Sequence, residues 1–292
     1  MNNFPFVSVI VSSYNHGMYI EKCLESIINQ TYKNIQLIVI DDGSTDNSVS
    51  LLKKLQSEYH FILECQNNMG LARSANKALF KYATGKYVCA IGSDDFWPLN
   101  KIEEQVMFME DNHNIALIFG NIIIVDENNA KIGTRKCDLS NQNISFESLL
   151  VRNRIPVLTI MVRTVILTEI GGYDESTYIE DWSTWLKIAY KYPIRHVNND
   201  WGYYRKHGNT MSTNLNKMCE AKLNIIKKWE KKLNPKIYKK IKTQYESLFF
   251  RLLAKKEKRE AIKYWPRNPY GYFQKNFIIG IFTFIFNKKN GK

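Results

Sequence analysis

The sequence predicts an α/β fold: a mostly parallel central sheet flanked by helices, followed by a C-terminal helical extension. Three observations carry this. Two apolar runs, residues 7–11 and 35–40, each end abruptly in small, polar and acidic residues. Between them, Tyr19, Ile20, Cys23, Leu24, Ile27 and Ile28 fall on one face of an amphipathic helix. Beyond about residue 216 the strand patterns stop and helical spacing takes over. Continuous Val/Ile runs joined through a helix read as a βαβ unit in a parallel sheet covered on both faces. Ligands in such sheets bind beyond the carboxyl ends of the strands. Ser12, Ser13, Tyr14 and Asn15 therefore meet Asp41, Asp42, Gly43 and Ser44 on one rim, the expected working edge.

The remaining elements follow in order. Residues 49–55 complete a helix and 61–64 form a short strand. Residues 71–82 are a second amphipathic helix, and 86–91 a buried strand leading into Gly92-Ser93-Asp94-Asp95. Residues 101–110 read as a helix and 115–125 as one or two strands. The polar stretch 126–145, with Glu127-Asn128-Asn129 and Gly133, marks a hairpin or loop. Residues 181–190 are helical with Trp182, Trp185, Leu186 and Ala189 on one face, and the helix ends before Pro193. In 237–253, Ile237, Ile241, Tyr245, Leu248, Phe249 and Leu252 repeat at helical spacing. The expected division is residues 1–215 and 216–292.

The charge is unevenly spread. Residues 221–292 carry 20 Lys+Arg against 4 Asp+Glu, whereas the first 220 carry 21 against 24. The basicity of the whole chain, +13, thus belongs to its last quarter. Cys23, Cys65, Cys89, Cys137 and Cys219 include no C-x-x-C pair. That spacing argues against a zinc site or a disulfide framework and for a reducing, cytoplasmic setting. The longest apolar run, 277–286, has ten residues, half of the roughly 20 needed to span a bilayer. No secretory leader pattern opens the sequence.

Six motifs stand in register over roughly residues 5–213: Ser13-Tyr14-Asn15 after the first strand; Asp41-Asp42-Gly43-Ser44-Thr45-Asp46 after the second; Asn68-Met69-Gly70 with Arg73 and Asn76; Gly92-Ser93-Asp94-Asp95; Gly171-Gly172-Tyr173-Asp174 with Glu180-Asp181-Trp182; and Tyr204-Arg205-Lys206-His207. Together they resemble the inverting glycosyltransferases of family 2, of the bacterial surface-polysaccharide type, whose fold is the Rossmann-like GT-A. The resemblance implies a nucleotide pocket of Ser12, Tyr14, Asp42, Gly70, Arg73, Ser93 and Asp94, with Asp42 accepting the imide N–H of a uracil and Arg73 near the diphosphate. It implies Mn²⁺ or Mg²⁺ on Asp94 with Asp95 and His207. The family's usual Asp-x-Asp is altered here, because Gly92 stands where the first Asp would be. The resemblance makes Asp181 the general base and Glu180 its neighbour at the acceptor. Acidic residues at a helix start are also what the helix dipole favours. Trp97 and Trp182 are candidate acceptor-stacking aromatics.

The basic C-terminal region combines amphipathic helices with Tyr264, Trp265, Tyr270, Tyr272 and Phe273. Such a surface suits an anionic membrane, so the expected setting is peripheral, on the inner face of the cell membrane. The partners implied are a nucleotide-sugar donor, preferably UDP-linked, and a glycan or polyprenyl-diphosphate-linked acceptor in O-antigen or capsule synthesis. No nucleic-acid-binding motif accompanies the charge. Two other classes fit less of the pattern. A nucleotidyltransferase would need a glycine-rich, basic loop near the N-terminus, and a non-catalytic binding module would not need Asp94, Asp95 and Asp181 together.

Overall fold

The computed structural model describes residues 4–137, 142–208, 214–266 and 269–286, with the side chains of Pro269, Tyr270 and Phe286 excepted. Tyr270 of the aromatic run and the last six residues of the basic region therefore lie outside it.

β1 (Val7–Ser13) and β2 (Ile35–Asp41) are the two Val/Ile runs, paired in parallel with Val7 opposite Ile35 and Ser13 opposite Asp41. α1 (Ile20–Ile28) joins them. α2 (Ser48–Tyr59) leads to β3 (Ile62–Cys65), parallel to β2. α3 (Leu71–Lys77) runs on into a π-helical turn, Ala78–Tyr82, and packs against β1 and β2. β4 (Tyr87–Gly92) returns to the other side of β1, with Ser12 opposite Gly92. Val7, Val9 and Val11 join residues of α1, α2 and α4 (Lys101–Asp111) in one core cluster. Ile10, Ile38, Ile40 and Val88 are just as buried, so these strands show no apolar–polar alternation.

The second half turns antiparallel. β5 (Leu117–Val125) and β6 (Lys131–Arg135) form a hairpin. α5 (Phe146–Val151) and a short 3₁₀ turn precede β7 (Met161–Arg163), which lies antiparallel between β4 and β5. α6 (Thr164–Glu169) and α7 (Glu180–Lys191) lead to β8 (Ile194–Arg205), parallel to β5. The strand order is β3-β2-β1-β4-β7-β5-β6, with β8 on β5. Strand order reverses between β1 and β4, which opens a crevice at their carboxyl ends.

The contacts divide the chain into two units, residues 1–176 with 180–208 and residues 177–179 with 209–292. In the second, α8 (Leu215–Lys228), α9 (Pro235–Lys256), α10 (Lys258–Ile262), α11 (Pro269–Tyr272) and α12 (Lys275–Phe286) follow one another. Asn214 and Asn234 cap α8 and α9, with Pro235 in the first turn. α9 buries Ile241, Tyr245, Phe249, Phe250 and Leu253, while Ile237, expected on that face, is exposed. Phe250 and Trp265 clasp Phe277 of α12 at ring distances of 5.1 and 5.0 Å.

Candidate active site

Three loops meet at the crevice: those after β1, β2 and β4. Asp41 is buried and accepts from Ser13 Oγ, Ser44 N and Ser44 Oγ, so it secures the strand end. Asp42 binds the next loop. Its Oδ1 accepts from Gln66 Nε2 and Met69 N, each at 2.8 Å, and its Oδ2 from Gly70 N at 2.8 Å. A carboxylate has about four acceptor positions, so one remains on the Gly70 side for a ligand donor. Gly70 takes φ of +92°, a left-handed conformation suited to glycine, and starts α3. Tyr14 lies above this rim, 45% exposed, and Ser12 is half-buried with its carbonyl bonded to Ser93 N. Arg73 is exposed and pairs with Glu175 at 3.3 Å. Asn76 ties the turn before α7 to α3, donating to the Tyr173 carbonyl and accepting from Tyr173 N.

Asp94 lies between two histidines. His207 Nε2 is 3.0 Å from its Oδ2, and His16 Nδ1 is 3.9 Å from its Oδ1. One ligating atom from each of these residues falls within 4.8 Å of the others, a donor set suited to a divalent cation. Burial works against the Asp94 charge, but the His207 hydrogen bond and the nearby His16 hold its carboxyl below the usual range. The hydrogen bond to Asp94 raises His207, and burial lowers His16.

His207 arrives from the far end of β8. Phe96 and Tyr203 exchange backbone hydrogen bonds of 3.2 and 2.8 Å, and their rings stack at 4.5 Å. The buried Arg205 donates Nε to the Asp94 carbonyl and Nη1 to the carbonyls of Asp126 and Glu127. Its guanidinium lies 4.6 Å from the Tyr19 ring.

Asp95 departs from expectation. Its Oδ1 accepts from Arg205 N at 2.8 Å, and the side chain is buried outside the cation cluster. Burial, then the Asp94 charge, push its carboxyl well above the usual range. His16 is the third member of that cluster. It follows the Ser13-Tyr14-Asn15 motif directly, and its position at the end of β1, beside β4, was the signal available.

Trp97 and Trp182 are also corrections. Trp97 is 2% exposed, its Nε1 donates to the Leu158 carbonyl, and Lys101 Nζ covers its ring at 3.8 Å. Trp182 is fully buried, with Nε1 donating to the Leu149 carbonyl. Neither offers a face to an acceptor; both fill the core.

At the start of α7, burial and then the Asp181 charge push the Glu180 carboxyl up to about 8. Adjacent carboxylates disfavour each other's ionisation, and both side chains are half-buried. Asn153 Nδ2 reaches Asp181 Oδ2 at 3.3 Å, a partner no sequence pattern announced.

Residues 8–168 match the model of the family described as glycosyl transferase family 2. A curated relative, the UDP-Glc:alpha-D-GlcNAc-diphosphoundecaprenol beta-1,3-glucosyltransferase WfaP of Escherichia coli, is 32% identical over 225 residues, 76% of this chain and 85% of WfaP. Among solved structures, TarS of S. aureus, residues 1–349 in complex with UDP-GlcNAc, superposes with a TM-score of 0.71 at 20% identity, covering 89% of this chain and 79% of that one. The mannosyltransferase PcManGT of Pyrobaculum calidifontis, in complex with GDP-Man and Mn²⁺, gives 0.61 at 16% identity, covering 99% and 89%. The two structures share the fold.

Proposed function

Because the chain belongs to glycosyl transferase family 2, we propose that it transfers a sugar, with inversion, from a UDP-sugar to a lipid-linked glycan in surface-polysaccharide assembly. One observation carries the reading: the Asp42-organised loop and the Asp94–His207 pair converge at the crevice between β1 and β4. In this reading the base stacks near Tyr14 and the imide N–H meets the open position of Asp42. Asp94 and His207 hold the cation, and bound there a divalent ion supplies positive charge to the departing diphosphate. Arg73, freed from Glu175, reaches toward the same phosphates.

Asp181 takes the proton of the acceptor hydroxyl as that oxygen attacks the anomeric carbon opposite the nucleotide. Burial, then the Asp181 charge, favour the neutral form of Glu180 beside it. Such base assistance is worth about 10²–10⁴-fold. Asp181→Asn is therefore expected to lower kcat by that factor while leaving UDP affinity unchanged. Turnover equal to the wild type would remove Asp181 from the role.

The lipid-linked acceptor is supported by the WfaP likeness, and a membrane surface by the second unit. Among the described residues no helix is long and apolar enough to cross a membrane. α12, though, exposes Ile278, Phe282 and Ile285 beside the 81%-exposed Phe273, in the region that carries the chain's excess lysines. This pairing of apolar face and basic surround fits interfacial binding at the cytoplasmic leaflet. Co-sedimentation with anionic but not zwitterionic vesicles is the expected result; equal behaviour with both would discard the membrane part alone.

A further inference from the structure

The proposed donor site uses Asp94 and His207; a third residue stands beside them that the motifs do not include. We propose that His16 is itself a cation ligand, so that the site offers two imidazole nitrogens and one carboxylate and selects Mn²⁺ over Mg²⁺.

The geometry is nearly closed. The Asp94 carboxylate lies 3.0 Å from His207 Nε2 and 3.9 Å from His16 Nδ1, and the three ligating atoms lie within 4.8 Å of one another. Atoms about 2.1–2.2 Å from a common ion and on one side of it lie about 3 Å apart; the Asp94–His207 pair already meets this, and His16 would close by about an ångström or more.

His16 is also held in place from several sides. Asn15 ahead of it adopts φ of +54°, and its side chain accepts from Thr45 N at 2.7 Å. His16 N donates to Ser48 Oγ at 3.1 Å, and the His16 carbonyl accepts the first amides of α1, Tyr19 N and Ile20 N. Nδ1 also lies 2.9 Å from Ser93 Oγ, which turns the ring toward the β4 loop; ligation through Nδ1 would replace this hydrogen bond.

A second observation concerns Gly92, opposite Ser12 across the β1–β4 pairing. A Cβ at position 92 would stand 2.6 Å from Asp94 Oδ1. A side chain there would have to displace the carboxylate oxygen that now faces His16. The bare position on β4 and the imidazole from the β1 loop thus belong to one arrangement. A carboxylate is absent from one strand end, and a nitrogen donor is supplied from its neighbour.

The chemistry follows from donor type. Mg²⁺ prefers oxygen ligands in near-ideal octahedral geometry and gives up water reluctantly. Imidazole suits the first-row transition ions. Two histidines and one carboxylate on one side of an ion leave the opposite positions open for diphosphate oxygens and water. With three protein donors in place, Mn²⁺ binds before the nucleotide arrives.

The inference rests on the cation site of the donor reading, yet its readout needs no donor and no turnover. Mn²⁺ titration of the full chain without nucleotide, followed by EPR, measures affinity, and pulsed EPR counts the ¹⁴N nuclei on the ion. Two nitrogens are expected in the wild type, with Mg²⁺ displacing Mn²⁺ poorly. His16→Ala should keep one nitrogen and bind Mn²⁺ at least about ten-fold more weakly, the lower end of what supporting groups alone cost. Ser93→Ala, which removes the hydrogen bond but no ligand, should keep both nitrogens. One nitrogen in the wild type, or unchanged Mn²⁺ binding in His16→Ala, overturns the proposal, as does equal loss in Ser93→Ala. Thermal unfolding of each variant certifies that it is folded. Absence of UDP binding by the wild type would sink the donor reading while leaving the nitrogen count standing.

Discussion

Asp41-Asp42 and Asp94-Asp95 are the same dipeptide at the ends of the two strands that flank β1, and they are used differently. At the β2 end both carboxylates are held by the protein: six donors from Ser13, Ser44, Gln66, Met69 and Gly70 converge on them. At the β4 end the second residue is tied to Arg205 N, while the first faces two histidines. The difference lies in the donors each carboxylate finds, not in the acids themselves. Where amides and hydroxyls surround a carboxylate it shapes a loop. Where it faces imidazoles it stands in a donor set suited to a cation.

Substitutions can break this contrast. Asp94→Ala should have the largest effect, about 10³-fold in kcat/KM, the scale of losing electrostatic stabilisation of a leaving group. Steady-state kinetics with Mn²⁺ would check it, and a loss below ten-fold would place Asp94 with the scaffold. Asp42→Ala should act on the fold as well as on the proposed contact with the base. It leaves the Met69 and Gly70 amides without that acceptor and Gln66 Nε2 with Ser74 Oγ, at about 1 kcal/mol or more for each group that water does not reclaim. Chemical denaturation should show a loss of about 2–3 kcal/mol in all; an unchanged midpoint would mean that the loop does not depend on that carboxylate.

Glu180 sharpens the comparison through pH. Its folded value of about 8 lies above the ordinary 4.5. The native state therefore keeps a proton that the unfolded chain has lost. The associated stability is fully present below the unfolded value and disappears as pH rises through the folded one. Glu180→Gln should match the wild type near pH 4 and exceed it by a margin that widens as pH rises to 9. Parallel stability profiles would refute the shift. The smallest effect is expected for Asp95→Asn. Its amide oxygen can still accept from Arg205 N, so stability should change by no more than about 1 kcal/mol and Mn²⁺ affinity by less than two-fold. A larger fall in affinity would return Asp95 to the cation.

How far the sequence discloses this arrangement follows the same logic of local against distant partners. β1, β2 and β4 are legible because short runs rich in Val, Ile and other apolar residues, buried on both faces, end abruptly in polar residues. β8 is not: Asn198, Asn199 and Asp200 interrupt any apolar pattern, and of the three only Asp200 pairs with β5, opposite Asn121 beside a register irregularity. Asp94 is legible from its motif. The hydrogen bond of Asp95 comes from an amide 110 residues away, and His16 stands beside Asp94 through a strand register that no local window contains. Trp97 beside an acidic cluster and Trp182 beside a catalytic-looking pair suggest sugar stacking. The carbonyls of Leu158 and Leu149 that receive their indole N–H groups lie 61 and 33 residues off, and that distance hides their role in the core.

Arg205 ties together segments that are far apart in the chain: the Asp94 carbonyl, the turn at Asp126 and Glu127, and the ring of Tyr19. Its own amide is locked to Asp95, and two residues back Tyr203 is paired with Phe96. None of these can let go alone without stranding a buried guanidinium. The amides of Phe96, Tyr203 and Arg205 should therefore exchange with solvent deuterium at one common rate, as members of a single opening unit. The crevice would then be present in full or lost in full, and a ligand bound there would slow exchange along the whole of that unit.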